Sequence, residues 1–598
     1  MDSFDTPRRF AHQQNLQPYT VRAETLLDLL SQRSRPQREA LILMDLRNEA
    51  HPVMAGDILA KARKAAQFLM AKELKKGDTV VLMLPTSVEF LYLFFGILLA
   101  GGIPVPVSQA TGPGHQEKHL AHVSHIIRDC EAKFFITYDR MEMIVGASEQ
   151  LKPLTTQFLF ADEILRHAAA ARGTESPPSL AASDVALIQY TSGTTSRPKG
   201  VVLTHANIIH NIHTMGIAVD TTPDEVTVSW LPLYHDMGLT GALLTVFYWN
   251  TMLILMRPEA FIFKPQWWLQ NISRFKATIS VAPNFGYHYC LSRIEEKELE
   301  GLDLSSWRLA LNGAEPIDRV TLKKFHDRFE RYGLRSNIFL PVYGMAENSL
   351  AATFPALDKP TVVRRFHRGR MQEELIAVDC DSEDPKIYID LVAVGHPLLG
   401  QEVKIIDDQG ATMLERHIGQ ILIKGPSLTQ GYYKNSDATR EAIQDGWLHT
   451  GDLGFMLDSQ LFISGRIKEM IIKRGKNIYP YDVERAATAV NGVRLGSCVA
   501  FAVENKDSGT EDLVLVCESN YSGTEAITAL KKEIANHMLA TLGFAPDRIV
   551  VAAKGAVPKT TSGKVQRVIC KKMYLDGLFA SFETLPERMS ASPPAAAV

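Results

Sequence analysis

Residues 185–203 read VALIQYTSGTTSRPKGVVL. An apolar strand, Val185 to Tyr190, is followed by Thr191-Ser192-Gly193-Thr194-Thr195-Ser196-Arg197-Pro198-Lys199-Gly200 and a second short strand, Val201-Val202-Leu203. Five hydroxyl side chains, two cations and glycines that permit close backbone approach, held between two strands, suit a cradle for a polyphosphate. The segment is not a Walker A loop, and a polar hairpin loop has the same composition. Outward from it, strand-length apolar runs at Thr79 to Leu84, Phe134 to Thr137 and Met252 to Met256 alternate with helical patterns such as Ile58 to Leu74. That alternation predicts α/β layers.

The chain has 598 residues, enough for several packed units. Its 64 Lys+Arg against 67 Asp+Glu leave a formal charge of -3, without the basic excess of a nucleic-acid binder. Cys130, Cys290, Cys380, Cys498, Cys517 and Cys570 form no Cys-x-x-Cys, so neither a disulfide framework nor a zinc knuckle is encoded. A reducing cytoplasm fits that usage. The start, Met1-Asp2-Ser3-Phe4-Asp5, carries acids and no apolar core of a secretory signal.

From Phe90 to Val107 no residue is charged, but Gly101-Gly102, Pro104 and Pro106 interrupt the run. A buried helix, turn and strand is expected there instead of a transmembrane segment. His205, His210 and His213 share a helical pattern with no carboxylate or cysteine at ligand spacing, so no zinc site is expected. From about Lys468 the pattern is a compact α+β unit: a hairpin turning at Gly475, a helix from Asp482, a strand Leu513 to Glu518 and a helix Thr524 to Leu539. Residues 586–598 are expected to be a disordered tail.

Six further motifs follow in chain order: Leu231-Pro232-Leu233-Tyr234-His235-Asp236-Met237-Gly238, Asn312-Gly313-Ala314-Glu315-Pro316, Tyr343-Gly344-Met345-Ala346-Glu347, Thr450-Gly451-Asp452, Gly465-Arg466-Ile467-Lys468 and Pro558-Lys559-Thr560-Thr561-Ser562-Gly563-Lys564. Singly, each has an ordinary explanation as a turn, a solvated surface group or a core aromatic. In this order they resemble the adenylate-forming superfamily of acyl-CoA synthetases, nonribosomal adenylation domains and luciferases, over nearly the whole chain. The resemblance implies a large multi-layer N-terminal adenylation domain of α/β class, residues 1–466. A small mobile α+β C-terminal domain, residues 467–585, would follow. The implied cofactors are ATP and Mg²⁺, and the implied reaction is attack of a carboxylate on the α-phosphorus with release of pyrophosphate.

Bringing two anions together requires focused positive charge. By the same resemblance Thr191, Ser192, Gly193, Thr194, Thr195 and Lys199 hold the terminal phosphates, and Glu347 holds Mg²⁺. Gly313, Ala314 and Glu315 run under the adenine, with Tyr343 stacked on its other face and Gly344, Met345 and Ala346 beside it. Asp452 accepts hydrogen bonds from the ribose hydroxyls, and Arg466 adds a ribose or phosphate contact. Lys564 bridges carboxylate and α-phosphate in the transition state, forming with His235 and Glu347 the catalytic set. The family places His235 at the carboxylate end of an acyl pocket; a core histidine suits the apolar run Leu231 to Leu239 equally. Lys468 falls at the superfamily's hinge between adenylating and thioester-forming arrangements, and any surface linker would carry such a residue too. Intact Lys199, Glu347, Asp452, Arg466 and Lys564 argue against a non-catalytic adenylate-binding module.

Between Glu347 and Gly395 lie 47 residues, with an arginine-rich start at Val362-Val363-Arg364-Arg365-Phe366-His367-Arg368-Gly369-Arg370. This segment, near 356–390, looks like the insertion of fatty acyl-AMP ligases. Those enzymes stop at the acyl-adenylate or pass the acyl group to the phosphopantetheine thiol of an acyl carrier protein. The implied partner is a carrier, or a polyketide or nonribosomal synthase carrier domain, on another chain. A solvated loop of equal length costs little, and a medium- or long-chain acyl-CoA synthetase would share every nucleotide-site residue. Contacts made in one arrangement only would let the insertion bias the hinge; its four arginines would alternatively meet an acidic carrier. A fatty acid is the expected substrate, because an amino acid needs a buried carboxylate for its ammonium group. Asp236, the one candidate, resembles the ligase version. Pocket lining is expected from Trp230 to Leu239 and from Ile279 to Tyr287.

Overall fold

Apolar runs without alternation make strands buried on both faces, which require a parallel sheet covered by helices. The computed structural model describes residues 10–32, 39–109, 116–142, 146, 148, 150–151, 154–167, 176–191, 198–357, 359–473, 476–505, 510–559 and 564–579. Thr79–Met83 and Phe134–Thr137 are buried throughout and lie at the centre of a parallel four-stranded sheet with Ile103–Pro106 and Gln157–Phe160 at its edges. Helix Val88–Leu99 starts where the Ser87 side chain accepts from Phe90 N, and Gly101 at φ 80° turns the chain into Ile103–Pro106. This is the helix, turn and strand expected from the interrupted run. No described helix is long and apolar enough to cross a membrane.

A second sheet has seven strands, in the order Phe339–Pro341, Leu309–Asn312, Ile279–Ala282, Val226–Ser229, Met252–Met256, Glu39–Met44, Ala50–Met54. All pair in parallel except the last two. Helices Ala55–Ala71 and His205–Ala218 join the two sheets in one core through Ile58, Leu69, Phe94, Ile208, Ile212 and Leu253. The parallel strands end together, so the segments that follow them, Trp230 to Asp236, Pro283 to Phe285, Gly313 to Glu315 and Val342 to Glu347, emerge along one edge. Ligands of open α/β sheets bind at that edge.

A third, antiparallel sheet contains Glu402–Ile406, Gly419–Lys424, Trp447–Leu457 and Gln460–Arg466, with Asp452 directly opposite Arg466. The residues that opened the sequence reading form a hairpin, Val185–Thr191 with Lys199–Thr204, in which Thr191 faces Lys199. Ser192, Gly193, Thr194 and Thr195 lie outside the described residues.

The segment near 356–390 is folded. Val363–His367 pairs antiparallel with Tyr388–Val392, helix Arg368–Glu373 lies between them, and Phe366, Met371 and Ile389 pack on Phe455 and Phe462 of the antiparallel sheet. A solvated loop would not bury three apolar side chains.

Gln460–Arg466 is followed by a single 3₁₀ turn, Ile467–Glu469, and by the strands Ile471–Lys473 and Lys476–Ile478, which pair antiparallel; Gly475, the expected turn, lies outside the described residues. Val493–Asn505, Thr510–Ser519 and Arg548–Ala552 build the small sheet. Helices Pro480–Thr488 and Thr524–Thr541 cover one face through Val483, Ile534 and Met538, and Arg567–Leu575 covers the other through Cys570. The 13-residue strand Val493–Asn505 has no counterpart in the sequence reading, because Gly492 and Gly496 interrupt its pattern. Residues 586–598 lie outside the described residues.

Gly395, just after the inserted hairpin, has φ 84° and its backbone lies so close that a Cβ would overlap the Phe354 carbonyl and Pro355 N. Gly395→Ala is expected to destabilise by about 2 kcal/mol or more, combining a left-handed backbone with overpacking. A lower urea midpoint at unchanged slope would show this; an unchanged midpoint would refute it.

Candidate active site

Lys564 lies on a loop closed by a bridge between Lys559 and Val565 and by Gln566 N donating to the Pro558 carbonyl at 2.9 Å. That loop delivers the ammonium from the small domain to the large one, where its charge interacts with Asp236, Glu315, Asp452 and Arg466. Burial pulls the Lys564 pKa below 10.5, Asp236 and Glu315 work to raise it, and Arg466 adds to the lowering. Loss of hydration therefore outweighs the acids present, and the site gains from a further anion.

Asp236 caps the turn Met237–Leu244, accepting from Met237 N at 2.7 Å, and lies 2.7 Å from His235 Nδ1. Burial works to raise its pKa, but the charge and hydrogen bond of His235, with Lys564 behind them, hold it below the usual carboxylate range. His235 lines the cleft and so takes the pocket position, not the core position. Glu315 accepts from Phe285 N at 2.5 Å, and burial raises its pKa against the pull of that bond and of Lys564.

Asp452 is buried, and both its oxygens are engaged: Tyr343 Oη donates to Oδ2 at 2.7 Å and Arg466 Nε to Oδ1 at 2.8 Å. Each oxygen retains a further lone pair for a ligand hydroxyl. The same bond anchors Tyr343 by its own hydroxyl, and burial followed by the Asp452 charge raises that phenol well above its ordinary value. Gly313, Ala314, Gly344, Met345 and Ala346 line the same cleft.

On the phosphate-loop side, Lys199 Nζ lies 4.8 Å above the centre of the Tyr432 ring, and Tyr432 Oη donates to Glu347 Oε1 at 2.9 Å. The sequence reading missed Tyr432. Its position is tertiary: Gly431–Tyr432 pairs as a short third strand with Lys199–Thr204, far away in sequence. Burial raises the pKa of Glu347, and the Tyr432 hydrogen bond lowers it only in part. A cation would offset that cost.

Of the expected pocket lining, Trp230, Pro232, Met237, Ile279, Val281 and Phe285 do face the cavity. Tyr287 and Leu239, by contrast, are fully buried core residues, Tyr287 donating to the Leu311 carbonyl at 3.0 Å. The three helical histidines hold the fold together. His205 Nδ1 accepts from Leu26 N, and His210 and His213 meet the hydroxyls of Tyr19 and Tyr248 at 2.9 and 2.8 Å.

Lys468 is 70% exposed and lies 3.6 Å from Glu441 of the large domain. The inserted segment reaches across to the small domain beside it. Arg368 Nη1 donates to Asp482 Oδ2 at 2.8 Å with both side chains buried (7% and 5% exposed), Asn477 donates to the Gln372 carbonyl at 3.0 Å, and Lys476 pairs with Glu373 at 2.8 Å. Asp482 stands in the first turn of Pro480–Thr488, where the helix dipole favours an anion. Sequence reasoning missed this pair; only an acid at a helix start signalled it.

A cleft that gathers Lys199, Arg466 and Lys564 beside the acids Asp236, Glu315, Glu347 and Asp452 has the charges that an enzyme activating carboxylates with a nucleotide requires. The family model described as AMP-binding enzyme matches residues 31–433, and the chain belongs to that family. It is 32% identical over 577 residues, 94% of this chain and 96% of the relative, to the medium-chain-fatty-acid [acyl-carrier-protein] ligase JamA of Moorena producens (strain JHB). A structure from work on fatty acyl-adenylate ligases from E. coli and L. pneumophila superposes with TM-score 0.87 at 32% identity, over 96% of this chain and 100% of that one. The L. pneumophila fatty acyl-adenylate ligase in complex with acyl adenylate and pyrophosphate superposes with TM-score 0.71 at 30% identity, over 93% and 97% of the two chains.

Tyr432→Phe keeps the ring under Lys199 but removes the hydrogen bond that Glu347 accepts from the Tyr432 hydroxyl. It is expected to leave thermal stability nearly unchanged and to lower the adenylation rate about tenfold, the effect of one charge-assisted hydrogen bond. Full activity in this variant would remove Tyr432 from the site.

Proposed function

We propose that this protein activates a fatty acid with ATP, forming the acyl-adenylate and pyrophosphate, and delivers the acyl group to the phosphopantetheine thiol of a carrier on another chain. The observation that carries the reading is the docking of Lys564 among Asp236, Glu315, Asp452 and Arg466. Burial disfavours its charged form, and an attacking carboxylate with an α-phosphate would add negative charge beside it where the reaction occurs.

Lys199 and the hairpin loop bind the terminal phosphates, and Tyr432 keeps the Lys199 ammonium directed by cation-π attraction. Asp452 orients the ribose, with Arg466 and Tyr343 fixing its carboxylate. Glu347 fits as the residue that would hold Mg²⁺, since burial leaves its carboxylate short of positive charge. Bound there, the metal would neutralise phosphate oxygens. His235, held by Asp236, orients the substrate carboxylate at the mouth of the acyl pocket. Lys564 then bridges that carboxylate and the α-phosphate as charge shifts between them.

Asp236 supports a fatty acid over an amino acid. Its carboxylate is already committed to His235 and Met237 N and so is taken from a substrate ammonium at the mouth of the pocket. Trp230, Met237, Ile279, Val281 and Phe285 give that pocket apolar lining, and the JamA relative is named for medium-chain fatty acids and an acyl carrier protein. The cytoplasm is the proposed compartment.

The carrier branch is supported by the inserted segment. Each of its four arginines is paired within this chain: Arg364 with Asp458, Arg365 with Asp390, Arg368 with Asp482 and Arg370 with Glu374. That weakens the reading of them as an open patch for an acidic carrier and strengthens the reading of the insertion as a brace. Rotation about Lys468 into a thioester-forming arrangement would separate Arg368 from Asp482, leaving a buried charge without its partner.

Lys564→Ala should reduce pyrophosphate release by about three orders of magnitude while ATP binding changes little, because its main contact is made in the transition state. In the native enzyme the same group should give kcat/KM an alkaline limb below 10.5, since the charged form is required and burial lowers its pKa. Equal loss of ATP affinity and rate would refute the assignment. With coenzyme A present, labelled fatty acid should accumulate as acyl-AMP, and an Arg368→Met/Asp482→Leu double variant should gain acyl-CoA formation. A native enzyme that converts acyl-AMP efficiently to acyl-CoA would make it a conventional synthetase.

A further inference from the structure

The acyl cavity does not stay apolar to its end. His235, Gly313, Val281, Ile279, Thr227 and Glu225 all line the cleft, and the strand register places them in that order from the C-terminal toward the N-terminal ends of the parallel strands. The sheet register sets its length. Ile279 is level with Thr227 on the neighbouring strand, and four residues separate Ile279 from Pro283 at the mouth. At about 3.3 Å per residue this is about 13 Å. An extended chain with C–C bonds of about 1.5 Å covers that span with about ten carbons.

Thr227 is 7% exposed and its side chain lies in the cavity wall. Its hydroxyl has no hydrogen-bond partner among the described residues, although its buried neighbour Ser229 accepts from Leu231 N and Thr278 bonds Glu225. The hydroxyl opens on the cavity, so an apolar chain end placed there would strip its water and leave it unpaired, a cost that Val, of the same shape, would not carry. Two residues before it, on the same face of the strand, Glu225 is buried and paired with Arg308 at 2.6 Å. Thr221 and Thr251 also line this end. A floor for a plain alkyl terminus would be aliphatic; this one presents a hydroxyl and a carboxylate already neutralised.

We propose that the substrate is a medium-chain fatty acid carrying a hydroxyl group at its far end, and that Thr227 is the specificity-determining residue that bonds it. The inference rests on the fatty-acid adenylation reading. A hydroxyl both donates and accepts, so it satisfies Thr227 and tolerates Glu225. A terminal carboxylate would be dehydrated beside Glu225 with Arg308 already engaged by that acid, and a methyl would leave Thr227 unpaired.

The test compares ω-hydroxydecanoate, decanoate and decanedioate by pyrophosphate release with ATP and Mg²⁺. The native enzyme should favour ω-hydroxydecanoate over decanoate about fivefold or more in kcat/KM, the worth of one net hydrogen bond, and should reject decanedioate. Thr227→Val, nearly identical in shape, should level or invert the first preference while keeping activity on decanoate. Thr227→Ser should retain the preference. A native enzyme that favours decanoate, or a preference that survives Thr227→Val, overturns the inference and leaves fatty-acid adenylation standing. Release with none of the acids, whatever residue occupies 227, overturns that reading and the inference together.

Discussion

One ammonium group, that of Lys564, has to be withdrawn from water and seated between two domains for the cleft to exist in this form. Its loop belongs to the small domain, and the acids it meets, Asp236, Glu315 and Asp452, come from three separate segments of the large one. The seat is electrostatically incomplete: dehydration lowers the lysine's pKa more than the acids raise it, while burial raises the pKa of Glu315 and Glu347 nearby. Burial thus disfavours the charged forms of this lysine and of those two acids in an interior that screens poorly. Under the proposed function, anionic substrate and Mg²⁺ would offset those costs together, coupling ligand binding to domain docking.

The rest of the cleft is arranged so that few of these charges depend on a flexible side chain alone. Asp452 is fixed by Tyr343 and Arg466, Asp236 by the backbone of Met237, and Glu315 by the backbone of Phe285. Backbone donors and strand-to-strand register have little freedom to lose, so the dipoles that face the ligand are already oriented. Tyr432 extends the principle to the phosphate side by holding Glu347 with its hydroxyl and Lys199 with its ring.

The inserted segment works through the same electrostatics at a different place. Its apolar face is buried on Phe455 and Phe462, so it moves with the large domain, while Arg368 reaches the small domain at Asp482. A buried ion pair is weak support for stability, but breaking one by separation is costly. Such a contact makes one domain arrangement preferred without touching the reacting atoms. Under the proposed function, this pair and the docked Lys564 would both favour one arrangement about Lys468.

The sequence by itself determined the layers and the hairpin at 185–203, and through a family resemblance it pointed to Lys199, Glu347, Asp452, Arg466 and Lys564, which the structure brings to one cleft. These are local signals: apolar periodicity, turn residues, and motif order along the chain. Their mutual engagement was not legible, nor were Tyr432, the Arg368–Asp482 pair or Thr227. Tyr432 reaches Glu347 only because residue 431 pairs with a strand at 199–204, and Arg368 meets Asp482 across more than a hundred residues. Thr227 looks like any strand threonine until the sheet register places its hydroxyl in a cavity with nothing to bond. Tyr287 and Leu239 show the reverse: their apolar surroundings in sequence suit a pocket wall and a core alike, and side-chain direction alone assigned them to the core. Residue type fixes what a group can do chemically, whereas its partners and its pKa follow from distance and dehydration, which tertiary packing sets.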